Sequence, residues 1–355
     1  MEKNMTLEQT SGKRNIGVDL LRLVAVFMIV LLHVLGVPGV LGNGLSLWVK
    51  VFLLGAFNVI ALIAGYAYCI EKFNFGRVIR LWVTGIFYGV VFYLITAAVK
   101  GGFGWTKLIK SFFPVLTNNQ YFWFFAPYIL VLLFIPVFNL AIEKLPRKGY
   151  LIALIFFAVL FSAVQFSVDP WAINDGRSAL WLGYLYFIGA YFRKYGFPIK
   201  KWWVNLLVFV GSSALTGGLI LLTRTFHFKF WEARYVNYFY QYNCLLVLIA
   251  SIALLALFAQ LPIKETAGRT IRYFSAHSLG IYLSQSFLIL YFFTFFKMPA
   301  WNDAVRLLIV IGVALAVFLV AFIIEALRKL LFKYARIDML TDQLGKKLLD
   351  KAEEE

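Results

Sequence analysis

Apolar runs long enough to cross a bilayer recur along this chain from one end to the other, and no other feature limits its fold as strongly. A helix needs about 20 such residues to span the hydrocarbon core. A backbone in lipid must also satisfy its own hydrogen bonds, which a helix does within one segment. Ten runs can be read, at roughly 16–37, 48–70, 79–99, 122–142, 150–168, 178–195, 203–223, 238–260, 274–296 and 304–330. The expected fold is therefore all-α, a polytopic transmembrane bundle of about ten spans. With 62% hydrophobic residues, 14% charged and a mean hydropathy of +0.81, a soluble globular domain is excluded. The connections are short and hold breakers such as Pro146, Pro170, Gly196, Pro198, Pro262 and Pro299. The expected division is an N-terminal segment 1–15, a membrane domain 16–335 and a charged, leucine-spaced tail 336–355, the tail forming a short surface helix of little catalytic interest.

The net charge of +17 would suggest nucleic acid in a soluble protein. Here the cations sit at the ends of apolar runs, which suits orientation in a membrane and contact with anionic headgroups, not nucleic acid. With the amino terminus in the cytoplasm, 23 lysines and arginines fall on that side and ten on the other. This bias predicts that both termini are cytoplasmic. The first run is long and lacks a small-residue cleavage site, so no cleavable signal peptide is expected. Cys69 and Cys244 both lie in apolar runs, which indicates neither a disulfide nor a metal site.

The first run, "GVDLLRLVAVFMIVLLHVLGV", carries Asp19, Arg22 and His33. Ionisable groups are costly inside a membrane and mark functional sites there. Arg22 and His33 are eleven residues apart, about three turns, so they share a face, and Asp19 lies one turn from Arg22. The stripe is expected to point between helices. His33 is the catalytic candidate, because imidazole can take a proton from a hydroxyl or carry an acyl group. A neutral histidine bonded between helices is the alternative.

Other segments offer less. "FGRVIRLW" sets Arg77 and Arg80 three apart, either as membrane-edge anchors or as a clamp for phosphate groups. "NQYFWFFAPYILVLLFIP" holds Asn118, Asn119, Gln120 and Trp123, interfacial anchors or a surface on which a sugar could stack. "SAHSLGIYLSQ" places His277, Ser278, Tyr282 and Gln285 near the start of one span, for hydrogen bonding between helices or for lining a pocket. "HFKFWEAR" (His227 to Arg234) offers an acceptor edge. No glycine-rich phosphate loop, zinc motif or serine-hydrolase elbow is present.

In this order the segments resemble the acyltransferase 3 family of bacterial inner-membrane O-acyltransferases. Asp19, Leu21-Arg22 and His33 are similar to the family's opening pattern. "LIAGYAY" resembles its serine-glycine-tyrosine segment, with Ala64 in place of serine before Gly65 and Tyr66. "RVIRLWVTGIFY", "YFWFF" and "HSLGIY" resemble three further elements, and "LGYLYFIGAYFRKYG" fits members acting on surface glycans. Two positions depart from the pattern: Tyr121 or Phe122 stands where the family often has a histidine before the tryptophan, and Gln285 where it often has another.

The resemblance implies transfer of an acyl group, usually acetyl, from cytoplasmic acyl-CoA to a hydroxyl on a cell-envelope glycan or lipid-linked sugar, with no metal. Asp19, Arg22 and His33 would be the catalytic residues. Arg80, with Arg77 behind it, would hold the donor's phosphates, and Trp123, Tyr66, His277, Tyr282 and Gln285 would line the pocket or meet the acceptor. The expected location is the bacterial inner membrane. The competing class is a transporter or flippase of an envelope precursor without acyl chemistry, whose usual mark is an inverted repeat. No clear self-similarity between the halves is visible.

Overall fold

The structure is a computed structural model that describes residues 14–113, 123–164, 169–225 and 237–354. Among these residues it is helical throughout, with no β-strand. The helices are α1 (Ile16–Val34), α2 (Asn43–Leu53), α3 (Ala56–Tyr68), α4 (Phe75–Lys100), α5 (Trp105–Ser111), α6 (Phe125–Lys144) and α7 (Arg147–Ala158), the last running into a π turn at Val159–Ala163. They continue with α8 (Ala179–Tyr195), α9 (Trp202–Thr225), α10 (Leu245–Ala259), α11 (Glu265–Ser275), α12 (Ser278–Phe295), α13 (Asp303–Tyr334) and α14 (Ile337–Glu354). Among the described residues each of the ten apolar runs overlaps a helix. Seven helical segments among the described residues are long and apolar enough to cross a membrane: α1, α2 with α3, α4, α6, α9, α12 and α13. This is a polytopic helical membrane protein.

Two runs differ from expectation for local reasons. The second is broken at Leu54–Gly55, where a Cβ on Gly55 would lie 2.8 Å from Ser251 Oγ on α10. The eighth begins at Leu245, because the chain before it is held by groups from distant segments: the Tyr242 N–H donates to the Asp175 backbone carbonyl, and Asn58 Nδ2 donates to the Tyr242 carbonyl at 2.7 Å.

Helix α1 is the axis of the bundle. Asn15 caps it by accepting from the Val18 N–H at 3.1 Å, and it packs against α3, α10, α11, α12 and α13. Its neighbour α3 lies tightly on α8 through glycine. A Cβ on Gly65 would stand 1.9 Å from the Tyr186 carbonyl oxygen, and one on Gly189 would stand 2.0 Å from that of Leu62. Small residues let backbones approach this closely where lipid supplies no hydrophobic drive for helix association. The outer helices α6, α7, α9 and α13 turn Leu133, Val137, Ile152, Leu207, Leu308 and Leu319 outward, as lipid-facing surfaces require. The tail helix α14 packs on the bundle, crossing α4 where Gly345 meets the backbone of Gly76.

Candidate active site

Asp19, the one carboxylate of the stripe, is 2% exposed, and two arginines share it. Arg14 bonds it through both oxygens at 2.7 Å, and Arg22 reaches it at 3.2 Å while also donating to Ser275 Oγ at 3.4 Å. The pair expected from spacing is present, with a second arginine from just before the helix. A buried carboxylate is tolerated when its charge is met in this way. One consequence is that Arg22 is held over the space between α1 and α11.

That space is a cavity of about 250 Å³. Arg22 and Arg77 stand on its wall with Tyr68 and Ser275, and it continues between α1, α3, α6 and α12 past Ile29, Ile63, Phe124, Ser278 and Tyr282. Arg22 lies in the second turn of α1 and Arg77 in the first turn of α4, and the shared cavity wall brings the two cations to one end of the bundle. Arg77 is steadied by Glu71 at 2.8 Å and by the Tyr68 ring 4.6 Å away. Arg80, expected as the main phosphate ligand, is placed elsewhere: it is not on the cavity wall but is ion-paired with Asp338 and Asp342 of α14. Of the two arginines, Arg77 is the one on the cavity wall.

The cavity ends near Ile29, one turn before His33. His33 Nδ1 is 2.7 Å from the Gln285 amide nitrogen, so these two residues of α1 and α12 form a couple. With that amide donating, the imidazole carries its proton on Nε2. A half-turn of the amide would present Oε1 instead, put the proton on Nδ1 and free the Nε2 lone pair to act as a base. The Gln285 Oε1 is buried without a partner, and its nitrogen also bonds Ser286 Oγ at 2.8 Å.

Phe57 touches both sides of this junction. Its ring lies 6.0 Å from His33, 5.7 Å from Phe124 and 6.5 Å from Tyr282, centre to centre. A group passing from the cavity to His33 must displace these aromatic contacts. Phe57 also meets Trp123 at 4.7 Å and Tyr242 at 5.1 Å. Trp123 therefore spends its ring on Phe57 and Tyr242, the latter stacked 8° from parallel. Among the described residues these are the aromatic neighbours of the half-buried Trp123, with Phe124 edge-on to it.

Tyr66 and His277 also lie off the cavity. Tyr66 stacks on Phe197 and beneath Arg193, 5.1 Å from its guanidinium. His277 bonds the Tyr273 carbonyl at 2.8 Å and packs on Phe322, while its neighbours Ala276 and Ser278 line the space. Asn118, Asn119, Gln120 and the 227–234 segment lie outside the described residues. Phe57, Arg14 and Tyr242 were missed by the sequence reading. Arg14 had a signal, a cation five residues before a membrane-buried aspartate; Phe57 is one phenylalanine among 37 and had none.

The arrangement provides cations at one end of a hydrophobic cavity, a hydrogen-bonded imidazole beyond the other, and packed aromatic rings between. A family model described as an acyltransferase domain matches residues 15–326, most of the chain. No curated protein and no solved structure matches it.

Proposed function

The chain belongs to the acyltransferase 3 family, a membrane acyltransferase by that membership, and from this premise we propose that it moves an acyl group, acetyl in the first instance, from acyl-CoA to a hydroxyl of a cell-envelope glycan. The donor comes from the cytoplasmic side of a bacterial inner membrane, the side on which lysine and arginine are concentrated. The observation that carries the reading is the cavity itself: Arg22 and Arg77 on its wall, and His33 one turn past its end. Arginine's planar fork suits phosphate oxygens, while the apolar length beyond it suits the arm that bears the thioester.

In this reading His33 takes the proton of the acceptor hydroxyl as that oxygen adds to the thioester carbonyl. The carbon–sulfur bond then breaks, and the CoA sulfur leaves with the proton held by His33. Gln285 holds the ring through Nδ1 and so decides which nitrogen is available. The aromatic contacts around Phe57 keep water from the thioester until the acyl end pushes past them. The test is transfer from radiolabelled acetyl-CoA to purified envelope glycan by the protein in sealed proteoliposomes. Label appearing in the glycan supports the proposal; glycan crossing the membrane without label would replace it with a transporter.

A further inference from the structure

A second polar feature lies at the opposite end of the bundle from Arg22 and Arg77, and the chemistry above does not use it. Trp123 and Tyr242 stack with centroids 5.7 Å apart, and the Arg177 guanidinium covers the pair at 5.6 and 5.8 Å from the two rings. Arg177 is exposed, and among the described residues no carboxylate lies within ion-pairing distance of it.

The loop before it is built at a cost. Ala172, Asn174 and Asp175 have φ of 51°, 53° and 57°, a region that L-residues rarely occupy and that clusters at functional sites. Asp169 secures the turn by accepting from the Ile173 and Asn174 N–H groups at 2.8 and 2.9 Å. Gly176, at φ 83°, lies so close to the next segment that a Cβ there would meet the Asn243 nitrogen at 2.7 Å. Loop, rings and arginine form one unit, and its rings touch Phe57, which touches His33.

We propose that this unit binds the acceptor and that the acceptor carries a negative charge, a carboxylate or a phosphate, near the hydroxyl to be acylated. A platform made for a neutral sugar would leave ring faces open for stacking. Here each ring is stacked on the other and the guanidinium lies over them, so what the surface presents is a fixed cation with a free planar fork. That fork matches a carboxylate or phosphate in two hydrogen bonds, and the rings beneath it hold it in place without neutralising it. The inference rests on the acyltransferase reading and adds the acceptor's charge to it.

The test uses the full chain in nanodiscs with acetyl-CoA and three forms of the host's envelope glycan: native, carboxyl-reduced and dephosphorylated. One treatment is expected to raise the acceptor KM of the wild type at least tenfold, and which treatment does so identifies the charged group. Arg177→Gln should remove the preference, accepting native and treated glycan alike, and Arg177→Lys should keep part of it, which separates lost charge from lost folding. Equal use of all three glycans by the wild type would overturn the inference while leaving acyl transfer intact. A full native preference in Arg177→Gln would overturn it too. Failure of the wild type to acylate even native glycan would refute the acceptor class proposed above, and this inference with it.

Discussion

Removing one oxygen from Tyr282 is expected to make the empty protein more stable and the enzyme worse. Ser278, Tyr282 and Gln285 fall at i, i+4 and i+7 on α12, hence on one face. Each holds a buried polar atom with an unmet hydrogen-bonding need: Ser278 Oγ, the Tyr282 hydroxyl, whose proton has no acceptor, and Gln285 Oε1. Tyr282 is 6% exposed, and its ring lines the cavity with Ser278. An unmet buried donor costs about 1–3 kcal/mol. Tyr282→Phe, which keeps the ring, should therefore stabilise the unliganded protein by about 1 kcal/mol, a rise in melting temperature of about 2 °C. The arm of an acyl-CoA lying in the cavity carries amide carbonyls that would accept the proton. Losing that bond should weaken acetyl-CoA by about 1 kcal/mol, or about fivefold in Kd. Thermal unfolding of the free protein and calorimetric titration with acetyl-CoA measure the two effects. A fall in melting temperature with unchanged acetyl-CoA affinity would show that the hydroxyl serves packing alone, and the reasoning would fail.

Three further outcomes follow from the same geometry. Arg77→Gln should weaken acetyl-CoA binding about tenfold, the value of one charge-assisted contact, whereas Arg80→Gln, taken from a residue paired with α14, should change it less than about twofold; an equal loss in the same titration would restore Arg80 as the phosphate ligand. Gln285→Leu should lower kcat about tenfold, the equivalent of one hydrogen bond in the transition state, without raising the KM for acetyl-CoA, and unchanged kcat would remove it from His33's support. Glu325 bonds Arg328 through both oxygens and also accepts from Tyr88 deep in the bundle. Glu325→Leu should then cost about 3–5 kcal/mol by stranding the guanidinium, most of it recovered in the Glu325→Leu, Arg328→Leu double variant; equal melting of the single and double variants would contradict this.

Apolar runs carried the helical fold, because lipid leaves a helix few ways to differ from its hydropathy pattern. The stripe of Asp19, Arg22 and His33 was legible for the same reason: polar groups stand out in an apolar run and their spacing fixes a face. What escaped depends on contacts between distant segments. Hydropathy cannot show that Arg80 meets Asp338 and Asp342, which lie some 260 positions later. Nor can it show that Gln285, at a position where the resemblance led one to expect histidine, is the residue beside His33. Phe57 was hidden by composition, and Arg177 by a loop whose unusual backbone no local pattern announced. The tail's amphipathic character was visible, but its docking on α4 depends on Gly76 and Gly345 meeting.

The central claim is that His33 performs the transfer, and His33→Ala measured for both chemistry and donor binding tests it most directly. Loss of a general base costs about two to four orders of magnitude, so transfer of acetyl to native envelope glycan should fall by at least about a hundredfold. The variant should still purify as a folded protein and bind acetyl-CoA close to normally, because His33 lies beyond the cavity's end. Near-normal transfer by a folded His33→Ala protein would contradict the account.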